Sequence, residues 1–185
     1  MTTDIFTNEE FLSGDGMLTS VWGPSMWHFL HTMSFNYPVK PSKEDKDHYF
    51  NFILSIKHIL PCKYCRDNFN KNIKKIGFKR GCMKNRTTFS KSIYNLHEEV
   101  NSMLGKESNL TYNDIKIRYE HFRSRCLVDE KKQKKLKHKS IENGCVDSLY
   151  GKKSKCVLQI VPKTSRIKSF RMSPKCKIER VINKN

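Results

Sequence analysis

Two cysteines separated by two residues, Cys62 and Cys65, have the types and spacing that most directly suggest chemistry. An apolar pattern of helical period follows them, which places the pair in the first turn of a helix. A disulfide can close there with little backbone rearrangement, and the N–H groups of a helix N-terminus lower the pKa of a thiol. Spacing alone leaves three alternatives: redox chemistry, half of a zinc site, and two buried structural cysteines.

The rest of the sequence weakens the metal alternative. A structural zinc site needs a second pair of ligands, and the other cysteines offer neither a second CxxC nor an HxxxH partner, so we expect no metal. A thioredoxin-like pair would follow a strand, whereas residues 47–60 have a helical period. The other cysteines are Cys82, Cys126, Cys145, Cys156 and Cys176.

Two further segments place aromatic and polar side chains on helix faces. Trp27 and His31 are four residues apart, as are His97 and Asn101, so each pair lies on one side of its helix. Taken singly, such residues most often pack in a core. Together, near a CxxC, two such faces are able to line a slot for a flat cofactor.

Apolar residues at spacings of three and four predict helices over most of residues 21–125. The first is expected to begin after Gly23-Pro24, and a capping box at Ser42 precedes the second. We therefore predict an all-α fold, a four-helix bundle with a short fifth helix. The predicted helices span about 24–37, 42–60, 62–77 and 88–104, with a fifth capped by Thr111 and Asp114.

The charge of the chain is unevenly distributed. It has 185 residues and a formal charge of +18, of which residues 126–185 contribute 17 basic and 5 acidic side chains. Such a segment buries too little apolar surface to offset the entropy of ordering. We expect a flexible N-terminal segment at 1–20, a helical domain at 21–126, and a basic, largely disordered tail at 127–185 with a short strand or helix at 156–161.

No window approaches the ~20 apolar residues of a membrane-spanning helix, and the acidic start lacks the apolar core of a signal peptide. We therefore expect a chain that does not span a membrane and does not enter the secretory route by itself. The basic tail motivates an alternative function, a nucleic-acid-binding or virion structural protein with a non-catalytic CxxC. No basic–aromatic recognition motif accompanies the tail, so it predicts only a weak polyanion contact.

The order of these motifs resembles the Erv/ALR family of FAD-linked sulfhydryl oxidases, most closely its short members from large DNA viruses. The family pattern is a Trp four residues before the His of a Leu-His-Thr run, then Tyr-Pro, CxxC, H-x-x-V-N-x-x-L-x-K, and an Arg followed by an aromatic residue. All of it appears in order within residues 21–126. The matching positions are Trp27, Leu30-His31-Thr32, Tyr37-Pro38, Cys62 and Cys65, His97, Val100-Asn101, Leu104, Lys106 and Arg118-Tyr119.

This resemblance implies a helical bundle that holds FAD noncovalently, with protein dithiols as substrates and O2 reduced to hydrogen peroxide. Cys62 would exchange with the substrate, and Cys65 would face the flavin. A homodimer is also implied, as is a place in the host cytoplasm or the virion if the source is viral. The residues implied to bind FAD are Gly23, Trp27, His31, Tyr37, His97, Val100, Asn101, Leu104, Lys106, Arg118 and Tyr119, with Lys106 and Arg118 at the pyrophosphate and Tyr119 at the adenine.

The chain also departs from the family pattern. Many members have a second disulfide at the positions where this chain has Tyr94 and Tyr112, so that stabilising disulfide is absent here. The usual His-Asn is His97-Glu98 here, which affects one hydrogen bond near the adenine. Family members often relay electrons through a mobile cysteine pair outside the core; here a Cys145–Cys156 shuttle and unpaired tail thiols are the two alternatives.

Overall fold

The computed structural model describes residues 5–124, 145–146, 148–168 and 170–177. Within them the secondary structure is helical apart from one isolated bridge between Ser124 and Ser148, which confirms the all-α prediction. Two compact units divide the chain, residues 1–108 and 109–185. The helices are α1 (Asn8–Phe11), α2 (Thr19–Asn36), α3 (Lys43–Ile59), α4 (Lys63–Lys75), α5 (Arg86–Met103) and α6 (Tyr112–Glu120), with 3₁₀ turns at Arg80–Met83 and Pro174–Cys176.

The four long helices of the first unit, α2 to α5, are the predicted bundle, and α6 is the predicted short fifth helix. In the bundle, α2 packs on α5 and α3 packs on α4. The capping boxes expected from the sequence are present. The Asp45 N–H donates to Ser42 Oγ at 3.0 Å, and the Asp114 N–H donates to Thr111 Oγ1 at 3.2 Å. These caps satisfy backbone donors that would otherwise lack partners at the helix ends.

The start of α2 differs from the prediction, because the helix begins at Thr19 and Pro24 lies inside it. Proline lacks an N–H, but so near the helix start this removes only one hydrogen bond. Gly23 has no Cβ to clash with the ring that follows it. The Trp22 indole N–H also donates to the Met17 carbonyl oxygen at 3.1 Å, which secures the additional turn.

An aromatic core joins α2, α3 and α5 in the first unit. Tyr37 is fully buried, and its hydroxyl donates to the Met83 carbonyl oxygen at 3.0 Å. Its ring meets those of Tyr49 and Phe89 edge-on, with centroids 4.7 and 5.0 Å away. Each large apolar side chain buried in this way contributes roughly 1.5–3 kcal/mol to folding. The aromatic contacts fix α2 against α5, the two helices that carry most of the predicted site residues.

Part of the N-terminal segment predicted to be flexible contacts the turn at Pro61 and Cys62. We call residues 13–18 the N-terminal strap. The Met17 N–H donates to the Pro61 carbonyl oxygen at 2.8 Å. A Cβ on Gly16 would lie 2.9 Å from that same oxygen and 3.3 Å from the Cα of Cys62. Only glycine therefore allows the strap to approach the backbone before Cys62 so closely.

Replacement of Gly16 tests this contact. We expect Gly16→Val to lower the free energy of unfolding by about 1–2 kcal/mol, because its side chain would meet the rigid Pro61 backbone. Gly14→Val is the matched control, since a Cβ at Gly14 would meet nothing within 4 Å. Urea unfolding of both variants measures the difference, and equal stabilities would show that the strap is not tightly seated.

The described part of the basic tail has specific contacts within the second unit. The Leu149 N–H donates to the Arg123 carbonyl oxygen at 2.8 Å, and Phe170 lies edge-on to Phe122 at 6.1 Å. Residues 156–161 form neither the strand nor the helix expected there, and Val157, Leu158 and Ile160 are largely exposed, so they contribute little to a core. The lysine-rich run at 131–139 lies outside the described residues.

Candidate redox site

Cys62 and Cys65 form a disulfide at the N-terminus of α4. Cys62 is the N-cap residue of this helix, and its Sγ accepts the Cys65 backbone N–H at 3.2 Å. The two Cα atoms are 5.2 Å apart, within the usual range for a disulfide. The pair thus lies in the helical turn in which the sequence places it, with a sulfur beside the positive end of the helix dipole.

Three elements hold this pair in place. Cys65 is half-buried and packs against the core of the first unit. The Arg66 guanidinium donates to the Leu60 carbonyl oxygen, which bridges the turn that carries Pro61 and Cys62. The N-terminal strap contacts the same turn from Gly16 and Met17. The disulfide is therefore fixed by its surroundings, while Cys62 remains partly exposed to solvent.

The structure brings together Trp27, His31 and His97, three of the predicted site residues. The rings of Trp27 and His97 stack with centroids 4.0 Å apart and an interplanar angle of 9°. His31, which is only 2% exposed, places Nε2 at 3.0 Å from His97 Nδ1. Because Trp27 and His97 touch, a flat ligand would lie beside this stack and not between its two rings.

The imidazole of His97 is neutral at pH 7. Burial lowers its pKa to about 4; the Glu98 carboxylate opposes this shift and the Lys106 ammonium adds to it. The contact with His31 engages Nδ1. Among the residues that the structure describes, none forms a hydrogen bond with His97 Nε2. This nitrogen can therefore bond to a ligand without the cost of a buried charge.

This low pKa predicts how stability depends on pH. The pKa of His97 is about 4 in the folded chain, against 6.5 ordinarily. As the pH falls, the imidazole is therefore protonated in the unfolded chain before it is protonated in the folded one. The contribution of neutral His97 to the free energy of unfolding is complete above about pH 6.5. It is lost as the pH falls towards 4, and the total loss is on the order of 3 kcal/mol. Flavin-stripped protein should lose that much more stability between pH 7.5 and 4 than His97→Gln does. Urea unfolding at several pH values checks this, and parallel curves would contradict it.

The row of predicted residues continues along α5 to its C-terminus. Asn101 Nδ2 donates to Glu98 Oε1 at 3.1 Å, and the Lys106 N–H donates to the Asn101 carbonyl oxygen at 2.9 Å. Glu98, the departure from the family pattern, thus accepts a hydrogen bond from Asn101 of its own helix and another from Ser108 Oγ at 2.9 Å. Leu104 is 52% exposed, and Val100 is partly exposed. This end of α5 presents an apolar surface with a cation beside it.

Gly23 lies on α2 opposite this end of α5. The Trp27–His97 and Tyr37–Phe89 contacts show that the two helices run antiparallel, so the residue one turn before Trp27 faces the residues after His97. A Cβ on Gly23 would meet nothing within 4 Å. The space beside Gly23 is therefore open, and a ligand that reaches the Trp27–His97 stack has room there.

The remaining predicted site residues are Tyr37 in the first unit and Arg118 and Tyr119 in the second. Tyr37 is part of the buried core, where the Met83 carbonyl engages its hydroxyl. Arg118 and Tyr119 belong to α6 in the second unit. There the Arg118 guanidinium lies 4.8 Å from the centroid of Phe170, and burial raises the pKa of Tyr119 to about 12. The binding roles of these three residues stay predictions.

The cysteines outside the CxxC do not form the pair considered from the sequence. Cys145 is disulfide-bonded, whereas Cys156 is a free, exposed thiol, so a Cys145–Cys156 disulfide is not present. Cys82 and Cys176 are also free. Within the described residues, no group of three or more His, Cys, Asp or Glu side chains is placed to hold a metal ion. Nor does any described helix have the length and apolar character of a membrane span.

Sequence reasoning did not find the N-terminal strap or the Arg66 contact with Leu60. The strap has no apolar periodicity, and its one signal is a pair of glycines, Gly14 and Gly16, in an otherwise ordinary polar stretch. The His31–His97 contact joins residues 66 positions apart, and helical periodicity reports only neighbours within one helix.

Comparisons with known proteins find a matching family and related sequences. Residues 24–120 match the model of the Erv1 / Alr family. A probable FAD-linked sulfhydryl oxidase of Acanthamoeba polyphaga mimivirus is 34% identical over 49% of this chain and 63% of its own length. A putative FAD-linked sulfhydryl oxidase of Invertebrate iridescent virus 3 is 33% identical over 46% of this chain and 57% of its own. The chain thus spans less than two thirds of the length of these relatives.

Solved structures share the fold. The crystal structure of the FAD-binding domain of Erv1 from Saccharomyces cerevisiae superposes with a TM-score of 0.51 and 26% identity, covering 56% of this chain and 94% of that one. The yeast Erv1 core gives the same TM-score at 23% identity, covering 64% of this chain and 92% of that one. The second likeness supports the fold alone, and both show that the bundle is a known architecture.

Proposed function

The chain belongs to the Erv1 / Alr family, and on that premise we propose that it is a FAD-linked sulfhydryl oxidase. Its substrates would be protein dithiols, which it converts to disulfides. One observation carries the proposal: a Cys62–Cys65 disulfide caps α4 in the same compact unit in which Trp27, His31 and His97 converge. A redox pair and a ligand-binding cluster in one small bundle are what such an enzyme needs.

The residues of the first unit fit FAD. The half-exposed Trp27, the open space at Gly23 and the neutral His97 suit a flat, largely uncharged ring system. The exposed Lys106 suits the anionic pyrophosphate. We propose that Val100, Asn101 and Leu104 complete this contact along α5. When bound, FAD would accept two electrons from the protein dithiol and pass them to O2, giving hydrogen peroxide.

The protein's own contribution is thiol–disulfide exchange at Cys62. A substrate thiolate attacks Cys62 Sγ, the Cys62–Cys65 bond breaks, and Cys65 leaves as a thiolate. A second substrate thiolate then attacks the mixed disulfide and releases Cys62, so that two electrons enter the pair and two protons reach solvent. Cys62 suits the first attack because its neighbours Lys63 and Tyr64 are exposed, whereas Cys65 packs against the core.

An anaerobic titration tests this function. Dithiothreitol added without oxygen should bleach the flavin absorbance of the purified protein fully at two equivalents of dithiol, one for the Cys62–Cys65 disulfide and one for the flavin. Admission of O2 should restore the absorbance and produce two equivalents of hydrogen peroxide. A colourless protein that takes up no FAD, or a bound flavin that dithiothreitol leaves oxidised, would overturn the proposal.

We also propose a homodimer. In its support, Phe29 and Phe52 are exposed on α2 and α3, with their rings edge-on at 6.2 Å, and form an apolar surface that a second copy would cover. Sedimentation velocity measures the oligomeric state.

The similarity to two viral proteins supports a site of action in the host cytoplasm or the virion, if the source is viral. The charge of the tail supports a weak polyanion contact.

A further inference from the structure

A basic groove runs along α4 away from the redox pair. It is an open cavity of about 480 Å³. The end of α3 forms one wall and the first half of α4 forms the other. Three cationic side chains and a single carboxylate lie in it. The lining residues are Lys57, His58, Arg66, Asp67, Asn70 and Lys71.

Helical geometry places Cys62 at one end of this groove. Cys62, Arg66 and Asn70 are spaced by four residues, so they form one row along α4. The distance along the helix from Cys62 to Lys71 is about 13 Å, which matches roughly four residues of an extended chain. A peptide whose cysteine has reached Cys62 therefore has space to lie along the groove over about four residues.

The surroundings of Cys62 suit a peptide chain in two ways. Ile59 and Tyr64, on either side of Cys62 in sequence, are 67% and 68% exposed, and offer apolar contact area beside the disulfide. The strap contacts the backbone of Pro61 and Cys62. It belongs to a stretch, residues 1–39, that contains four carboxylates and neither lysine nor arginine. The strap itself has one carboxylate, Asp15, and no cationic side chain.

From the charge, position and length of the groove, we propose that it selects reduced protein segments with acidic residues within about four positions of the reacting cysteine. Lys57, Arg66 and Lys71 would attract the carboxylates, and Cys62 would receive the thiol at the end of the groove. This inference rests on the proposed oxidase function and names its substrate class. The chemistry is the exchange already described: one S–S bond is lost in the enzyme and one forms in the substrate.

Two reduced peptides test the groove. Each carries the same Cys-x-x-Cys dithiol, flanked by four glutamates in one peptide and by four lysines in the other. At low ionic strength the holoenzyme should oxidise the acidic peptide with a kcat/KM at least about tenfold above that of the basic peptide, and the ratio should fall as salt is added. Equal kcat/KM values for the two peptides would overturn the proposal.

Charge-reversed variants show where the preference arises. Lys57→Glu/Lys71→Glu should abolish or invert it without changing turnover of the neutral dithiothreitol. Lys71→Glu alone, in the middle of α4, should reduce the preference if the double variant folds poorly. The matched control is Lys40→Glu/Lys43→Glu, which makes the same change of charge at the other end of α3, where Lys43 lies about 21 Å from Lys57 along the helix. A preference that survives in the groove variants, or disappears in this control, would overturn the assignment.

Two further outcomes separate this inference from its premise. If wild-type holoenzyme does not turn over dithiothreitol, the proposed function is wrong and the groove proposal is lost with it. If dithiothreitol is oxidised but the peptides are not discriminated, only the groove proposal is wrong. The same holds if a duplex oligonucleotide binds the wild type, but not Lys57→Glu/Lys71→Glu, and the peptide preference is absent, since the groove would then be a general polyanion site.

Discussion

Cys62→Ser and Cys65→Ser should each retain bound FAD and lose oxidase turnover down to the background rate. Neither variant can form the disulfide that a substrate thiolate must attack. The fold should survive, since serine is a favoured N-cap residue and can replace the Cys62 sulfur that accepts the Cys65 N–H. Oxygen consumption with dithiothreitol and with a reduced protein measures turnover, and flavin absorbance after gel filtration measures binding.

Cys82→Ser is the control for these variants. Cys82 is a free, half-buried thiol in the 3₁₀ turn at Arg80–Met83, away from the disulfide in sequence. We expect this variant to turn over dithiothreitol at the wild-type rate. Near-wild-type turnover in Cys62→Ser or Cys65→Ser would mean that the Cys62–Cys65 pair is structural, one of the alternatives left open by its spacing.

His97→Ala should release FAD and lower the melting temperature of the holoprotein. The substitution removes the ring stacked on Trp27 at 4.0 Å and the unbonded Nε2. A cofactor that binds only the folded state stabilises it through mass action, so a tenfold weaker affinity costs about 1.4 kcal/mol at saturating flavin. The measurement is the flavin content after gel filtration, with melting curves recorded with and without added FAD.

Two comparisons separate lost binding from lost packing. The difference in melting temperature between flavin-stripped His97→Ala and flavin-stripped wild type measures the lost packing alone. The further difference that appears when FAD is present measures the lost binding. His48→Ala is a matched histidine control, because His48 is exposed on α3 and its ring contacts the side chain of Glu44 on the same helix. A full complement of flavin in His97→Ala would show that His97 is simply packed in the bundle.

Local features of this chain could be predicted from sequence, and long-range contacts could not. The capping boxes at Ser42 and Thr111 and the position of Cys62 at a helix start are encoded in a few consecutive residues, so periodicity and cap rules find them. The predicted start of α2 at Pro24 was wrong, because a proline is tolerated throughout the first turns of a helix and does not fix its first residue. Thr19–Gly23 add a turn before it. The strap contact with Pro61 depends on a close approach of distant backbone that no local pattern signals.

The candidate site likewise contains features that the sequence predicts and features that it does not. Trp27 and His97 were identified from the order of motifs, and the structure stacks them. The basic groove was not predicted, because Lys57 and Lys71 lie on different helices and become neighbours only when α3 packs on α4. Tyr37, assigned to FAD by resemblance, has its hydroxyl bonded inside the core.

The separation of His31 and His97 by 66 residues also sets the order of events during folding. The cluster of Trp27, His31 and His97 cannot form until α5, the last of the four long helices to be synthesised, has packed against α2. FAD therefore cannot act as a template for the early collapse of α2 to α4. It would instead bind once α5 has packed against α2, and would stabilise the finished bundle against unfolding.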